Sequence, residues 1–205
     1  MTIRAGTMKE LTDPTGDWCF VDIGFAGKAK SCGYLLATFG HDTIDKPFKM
    51  TYGELGDTLC SLVVQSGPPL HLVLEAPISS AFTPQNNPVG RSIEKAGSKT
   101  RYWYVGLGCS VLVSSLYLIK RLAELDRNRE LRIFEGFVSF KDRNQQSDHI
   151  QDVRAMKRVV WSRGADGGDF CEPIALSSAN GSMVRSTMEL LGLDATPPPI
   201  IRVGQ

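Results

Sequence analysis

Acidic residues and one histidine are spaced along this chain in a pattern that suits metal-assisted chemistry on phosphate. Asp22 closes a run that is otherwise apolar, Glu75 closes a second, and Glu135 lies inside a third. Asp148 and Asp152 stand one turn apart, with His149 between them. A carboxylate on an apolar strand carries a large desolvation cost unless something pairs with it. Asp22 therefore has two readings. Either it accepts turn hydrogen bonds or pairs with Lys28 or Lys30, or it is a metal-binding or phosphate-facing acid at a strand end. Convergent carboxylates without a dedicated His/Cys set favour Mg²⁺ or Mn²⁺, hard cations that keep some waters and bind phosphate oxygens. Two such ions about 3.5–4 Å apart activate a water and stabilise the leaving oxygen of a phosphodiester.

For these acids to meet, the elements that carry them must be neighbours. Residues 18–24 read as a buried strand ending in a glycine turn, residues 33–39 as a second strand and 47–52 as a weaker third. Residues 53–65 have helical spacing, with Leu55, Leu59, Leu62 and Val63 on one side. Residues 70–74 form a fourth apolar run that ends on Glu75. A polar loop, 79–99, leads to a long helix over 100–125. Its uncharged part is at the lower limit for a bilayer span of roughly 20 residues and contains Gly106, Gly108, Ser110, Ser114 and Ser115, so it reads as a buried helix with a small-residue face. Residues 132–140 alternate as a fifth strand, with Ile133, Glu135 and Phe137 on one face and Phe134, Gly136 and Val138 on the other. The last core helix, 147–163, carries Ile150, Val153, Met156, Val159 and Val160.

Residues 2–15 read as a loose leader. In the tail, 164–169 reads as a flexible linker and 182–191 as a helical piece. Residues 200–203 are a β-prone end that adds an edge strand or docks a partner. The expected organisation is a core domain over 1–163 and a C-terminal extension over 164–205, packed on it or flanking it.

Composition bounds the function. Hydrophobic content of 42% and charged content of 22% are those of a soluble globular protein. A formal net charge of +1 provides no global basic field, so a nucleic acid would have to meet a local patch. Arg91, Lys95 and Arg101, next to Tyr102, Trp103 and Tyr104, supply one, with Lys28 and Lys141 as further phosphate contacts. The competing reading makes Trp103 a core anchor and the charges a solvated loop. Five cysteines without a CxxC pair read as reduced, with Cys60 and Cys109 in the core. With no apolar segment near the start, the expected location is the cytoplasm.

The pieces Val21-Asp22-Ile23-Gly24, Leu74-Glu75-Ala76-Pro77 and Asp148-His149-Ile150-Gln151-Asp152 resemble the ribonuclease-H-like superfamily of metal-dependent nucleases. The nearest likeness is to a family of predicted nucleases, carried by residues 132–141, and more distantly to Holliday-junction resolvases of the RuvC type. The resemblance spans about residues 17–163. It implies an α/β, ribonuclease-H-like fold: a mixed five-stranded sheet, strands one to three antiparallel and four and five parallel to strand one, flanked by helices. It also implies that Asp22, Glu75 and Asp152 hold Mg²⁺ or Mn²⁺, with Asp148 or Glu135 completing the set. The partner implied is DNA or RNA, with a homodimer or a larger protein complex left open and no membrane. His149 would shuttle a proton or assist the metal, against the plainer reading of a solvated or capping residue. Glu135 has an equal alternative as a buried acid paired with Arg132, Lys141 or Arg101.

The expected function is a metal-dependent nuclease. The alternatives are a non-catalytic binding or assembly subunit of the same fold and an actin-like phosphotransferase, which needs two such domains.

Overall fold

The computed structural model describes residues 2–24, 29–41, 46–96, 99–100, 107–138, 148–173 and 182–204, with only the backbone at 96, 99, 100 and 107. Strand β1 (Ile3–Ala5) and the short helix α1 (Met8–Thr12) precede β2 (Asp17–Asp22), β3 (Cys32–Thr38) and β4 (Phe48–Met50). Helix α2 (Tyr52–Val64) leads to β5 (Leu70–Glu75). The next stretch holds β6 (Ser79–Phe82), β7 (Pro88–Val89), a short helical turn at Ser92–Glu94, β8 (Lys95–Ala96) and β9 (Lys99–Thr100). After helix α3 (Leu107–Ala123) come β10 (Leu131–Val138), helix α4 (His149–Trp161), β11 (Gly168–Cys171), β12 (Met183–Ser186) and β13 (Ile200–Val203).

The main sheet runs β11-β13-β10-β5-β2-β3-β4, with β1 also paired to β10. β2, β5, β10 and β13 are mutually parallel, whereas β3, β4 and β11 run antiparallel to their neighbours. The chain is thus α/β, with a mixed sheet flanked by helices. Among the described residues the sheet has eight strands, not five. The additions come from the two segments read as peripheral. The free edge of β10 is shared: β1 takes Leu131 to Ile133, and β13 takes Glu135 to Val138.

The leader is therefore not loose. Thr7 and Glu10 cap α1 reciprocally, and Leu11 is fully buried. Arg4 and Arg132 each bond both Glu10 and Glu130 at 2.6–2.9 Å, tying β1 and α1 to β10. Nor is 164–169 simply a linker, because β11 begins at Gly168 and pairs with β13, and Asp169 bonds Arg202 across the pair. The strand expected over 200–203 is present as β13, between β10 and β11, but β1 and β11 carry too little periodicity to be read from sequence, and pairing partners far along the chain decide them. β12 joins β6 and β7 in a separate small sheet.

Two apolar layers cover the sheet. Cys19, Val21, Leu72, Leu74, Ile133 and Phe137 face α2 and α3; Trp18, Phe20, Val73, Phe134 and Ile201 face α4. The long helix, expected to be buried, is amphipathic: Leu118, Ile119 and Leu122 are inside, but Val113 and Tyr117 are 50% and 66% exposed. Cys109 is likewise exposed and so not a core residue, whereas Cys60 is half-buried and packs against the core. Among the described residues no helix is long and apolar enough to cross a membrane.

A buried histidine sits in the layer beneath α4. His71 stacks on Trp18 with ring centroids 4.3 Å apart and a tilt of 10°. Its Nδ1 meets the Asp17 carbonyl at 3.1 Å and its Nε2 the Arg132 guanidinium at 3.2 Å. The carbonyl only accepts and the guanidinium only donates, so His71 is neutral, with its proton on Nδ1. Burial above all, with Arg132 adding to it, pushes its pKa down to about 4. The unfolded chain takes up this proton near pH 6.5 while the folded chain waits until about pH 4. Stability is then lost as pH falls through that window, by about 2–3 kcal/mol between pH 7 and 4.5. Urea unfolding at both pH values checks this, and His71→Phe should flatten that segment of the profile.

Candidate metal centre

The acids at the ends of β2 and β5 meet because the two strands are parallel and in register. Asp22 is the direct partner of Glu75 on one side and of Gly33 on β3 on the other. Glu135 is registered with Leu74, so Gly136 falls beside Glu75. A row of Gly33, Asp22, Glu75 and Gly136 thus crosses four adjacent strands. In open α/β sheets the carboxyl ends of parallel strands are where ligands bind.

The first turn of α4 lies over this row. His149 Nδ1 is 2.7 Å from Asp22 Oδ2. A carboxylate can only accept, so Nδ1 carries the proton and Nε2 the lone pair when the ring is neutral. Asp22, His149 and Asp152 each offer a ligand atom, all within 4.8 Å of one another, and together they form a candidate site for a metal ion. Asp22 and Asp152 are 2% and 5% exposed, and the His149 side chain 21%. The positive end of the helix dipole lies on the same side and favours anions there.

The glycines of the row let the helix descend. A Cβ at Gly33 would lie 2.4 Å from the His149 carbonyl oxygen, and one at Gly136 would lie 2.4 Å from Met156 Sδ. The sequence reading places both glycines on strands but gives neither a role, although an interior strand glycine is a known sign of close approach. The contact at Gly33 is with helix backbone, which cannot rotate out of the way as a side chain can. Gly33→Ala should cost about 1–3 kcal/mol by overpacking. It should also lift the start of α4, pulling His149 off Asp22. Thermal unfolding checks the first effect and the His149 ring NMR signals the second.

The structure sorts the expected residues. Asp22 and Asp152 converge, and Glu75 stands on the neighbouring strand, outside the 4.8 Å group. Asp148 does not join them. It is the N-cap of α4, accepts from Ile150 N at 3.1 Å and pairs with Lys49 at 3.4 Å. The helix begins at His149, and this one-residue offset puts His149 and Asp152, three apart, on the inner face.

Glu135 points to the opposite side of the sheet, with Ile133 and Phe137. There it accepts from Ile78 N, Ser79 N and Ser79 Oγ, each at 3.0 Å, and from Arg91 Nη1 at 2.7 Å. Its cationic partner among the described residues is Arg91 rather than Arg132, while Lys141 and Arg101 lie outside the described residues. Burial raises the Glu135 carboxyl above its ordinary range, with Arg91 opposing. Arg91, expected to meet phosphate, is 1% exposed and also bonds Glu94 at 2.9 Å. Buried ion pairing has taken both residues away from solvent and from the site. Lys95 is exposed on β8. Lys28, Arg101, Lys141 and Trp103 lie outside the described residues.

No protein-family model, no curated protein and no solved structure matches the chain.

Proposed function

We propose that the chain is a divalent-metal-dependent nuclease of the ribonuclease-H-like kind, hydrolysing phosphodiester bonds of DNA or RNA in the cytoplasm. The observation that carries this reading is the convergence of Asp22, His149 and Asp152 within 4.8 Å beside Glu75, at the carboxyl ends of β2 and β5. The succession β4-β3-β2-β5-β10, with β2 to β4 antiparallel and β5 and β10 parallel to β2, supports the fold assignment. The donor set fits a hard cation, since carboxylate oxygens dominate it, and the imidazole favours Mn²⁺ over Mg²⁺.

Asp22, Asp152 and His149 would hold the ion, His149 by giving up its bond to Asp22, with Glu75 a further carboxylate ligand from the neighbouring strand. Bound there, the ion would neutralise phosphate charge and lower the pKa of a water, so that the water could give up a proton and attack phosphorus as hydroxide. The protein's own part is orientation. Until the ion binds, His149 fixes the rotamer of Asp22, and the glycine row fixes the height of α4 above the sheet.

Calorimetric titration with Mn²⁺ and Mg²⁺, followed by a cleavage screen over duplex, branched and single-stranded DNA and RNA, tests the proposal. Saturable binding and Mn²⁺-dependent cleavage are expected. Absence of both would overturn it. The 2.7 Å His149–Asp22 bond favours a second reading, a binding or assembly subunit in which this pair merely pins α4 to the sheet. That reading gains if nucleic acid binds without metal and without cleavage.

A further inference from the structure

We infer that Glu135, on the far side of the sheet, is a positioning residue for Glu75; this rests on the proposed metal site. Glu75 sits at the centre of a three-residue turn closed by Ala76 N donating to Leu74 O at 2.8 Å. Beyond that turn the backbone is gripped from both sides. The Glu135 carboxylate accepts the N–H groups of Ile78 and Ser79 and the Ser79 hydroxyl. The Ile78 carbonyl accepts from Thr187 N at 2.7 Å and from Thr187 Oγ1 at 2.9 Å.

Glu135 is in turn held by Arg91 Nη1, which also donates to Ser79 Oγ at 2.7 Å, while Arg91 Nε is anchored to Glu94. Glu135, Ser79, Arg91 and Glu94 are all at most 3% exposed. In so dry an environment these bonds are strong, and their loss leaves groups unpaired. The chain thus leaves Glu75 along one path, set by a carboxylate one strand away and one face below. A buried acid with three of its four bonds to the segment after a site residue, and the fourth to Arg91, acts as outer-shell partners of metal ligands do, which tune affinity without touching the ion.

The test is Mn²⁺ affinity of the full chain carrying Glu135→Gln, whose amide must present a donor to Arg91 or to the Ile78 and Ser79 N–H groups. Ser79→Ala is a milder second variant should Glu135→Gln not fold. Leu59→Ala, on the buried face of α2, is the control for destabilisation alone. Glu135→Gln should weaken Mn²⁺ binding about 10-fold or more, with Ser79→Ala lower by a smaller factor and Leu59→Ala unchanged. Wild-type affinity in Glu135→Gln and Ser79→Ala, or an equal loss in Leu59→Ala, would overturn the inference. If the parent chain itself binds no Mn²⁺, it is the proposed metal site that fails. The backbone amide signals of Glu75 and Ala76 then decide the positioning role: moved by Glu135→Gln but not by Leu59→Ala they support it, and unmoved they overturn it.

Discussion

Asp22→Asn should leave the fold standing and remove divalent-cation binding. Asparagine keeps the shape of the side chain and an oxygen able to accept from His149 Nδ1, which Asp22 Oδ2 meets at 2.7 Å. It does not keep the negative charge for which a hard cation selects. Losing an outer partner of a metal site costs about 10–100-fold in affinity. Losing a direct carboxylate ligand should cost more than the upper end of that range, and metal-dependent cleavage should fall with it. Stability should hold or rise, because the variant removes one buried acid from a site where Asp22, Glu75 and Asp152 crowd together; sites built for function commonly sacrifice stability. Calorimetry with Mn²⁺ reads the first effect and thermal unfolding the second. A collapse of the fold in Asp22→Asn would instead make Asp22 a structural partner of His149.

The largest stability effect is expected at Arg91, well away from the metal centre. Arg91→Ala strips Glu135, which is fully buried, of its one cationic partner among the described residues, and leaves Glu94 without its bond to Nε. Breaking a buried ion pair from one side typically costs about 3–5 kcal/mol, a large part of a small domain's total stability. The sign of its pH dependence follows from Glu135. Its carboxyl is already raised above the ordinary 4.5 by burial, and without Arg91 it rises further. A group with a raised folded pKa stabilises below its unfolded value and loses that contribution as pH climbs through the folded one. The deficit of Arg91→Ala relative to the parent should therefore be greatest at neutral pH and shrink toward pH 4.5. Urea unfolding of both proteins across that range measures it, and a deficit independent of pH would place the cost elsewhere.

The same pair shows where reading a sequence stops. Glu135 on an alternating strand shows its face but not its partner. Arg91, forty-four residues earlier in a polar stretch, looks like a solvent-facing cation. A charge in a loop is exposed by default, and only the packing of β6 and the turn at Ser92–Glu94 against the sheet reverses that. At the start of α4 the difference was one residue. Asp148 and Asp152 share a helix face by spacing, yet Asp148 is the better cap, so the helix begins after it and His149 turns inward.

What the residues determine by themselves is the local part of the design. Apolar runs ending on Asp22 and Glu75 make strands that carry acids at their carboxyl ends, and the spacing of Val153, Met156, Val159 and Val160 makes α4 amphipathic. These follow from periods of two and of three to four residues, which need no distant partner to be seen. Tertiary structure alone decided that β1 and β13 share the edge of β10, and that Gly33 and Gly136 flank the acids and admit the helix. It also decided that Glu135 pairs with Arg91 on the far face of the sheet. Short strands, glycines and buried charges take their roles from whichever segment packs against them, and the chain meets that segment only when it folds.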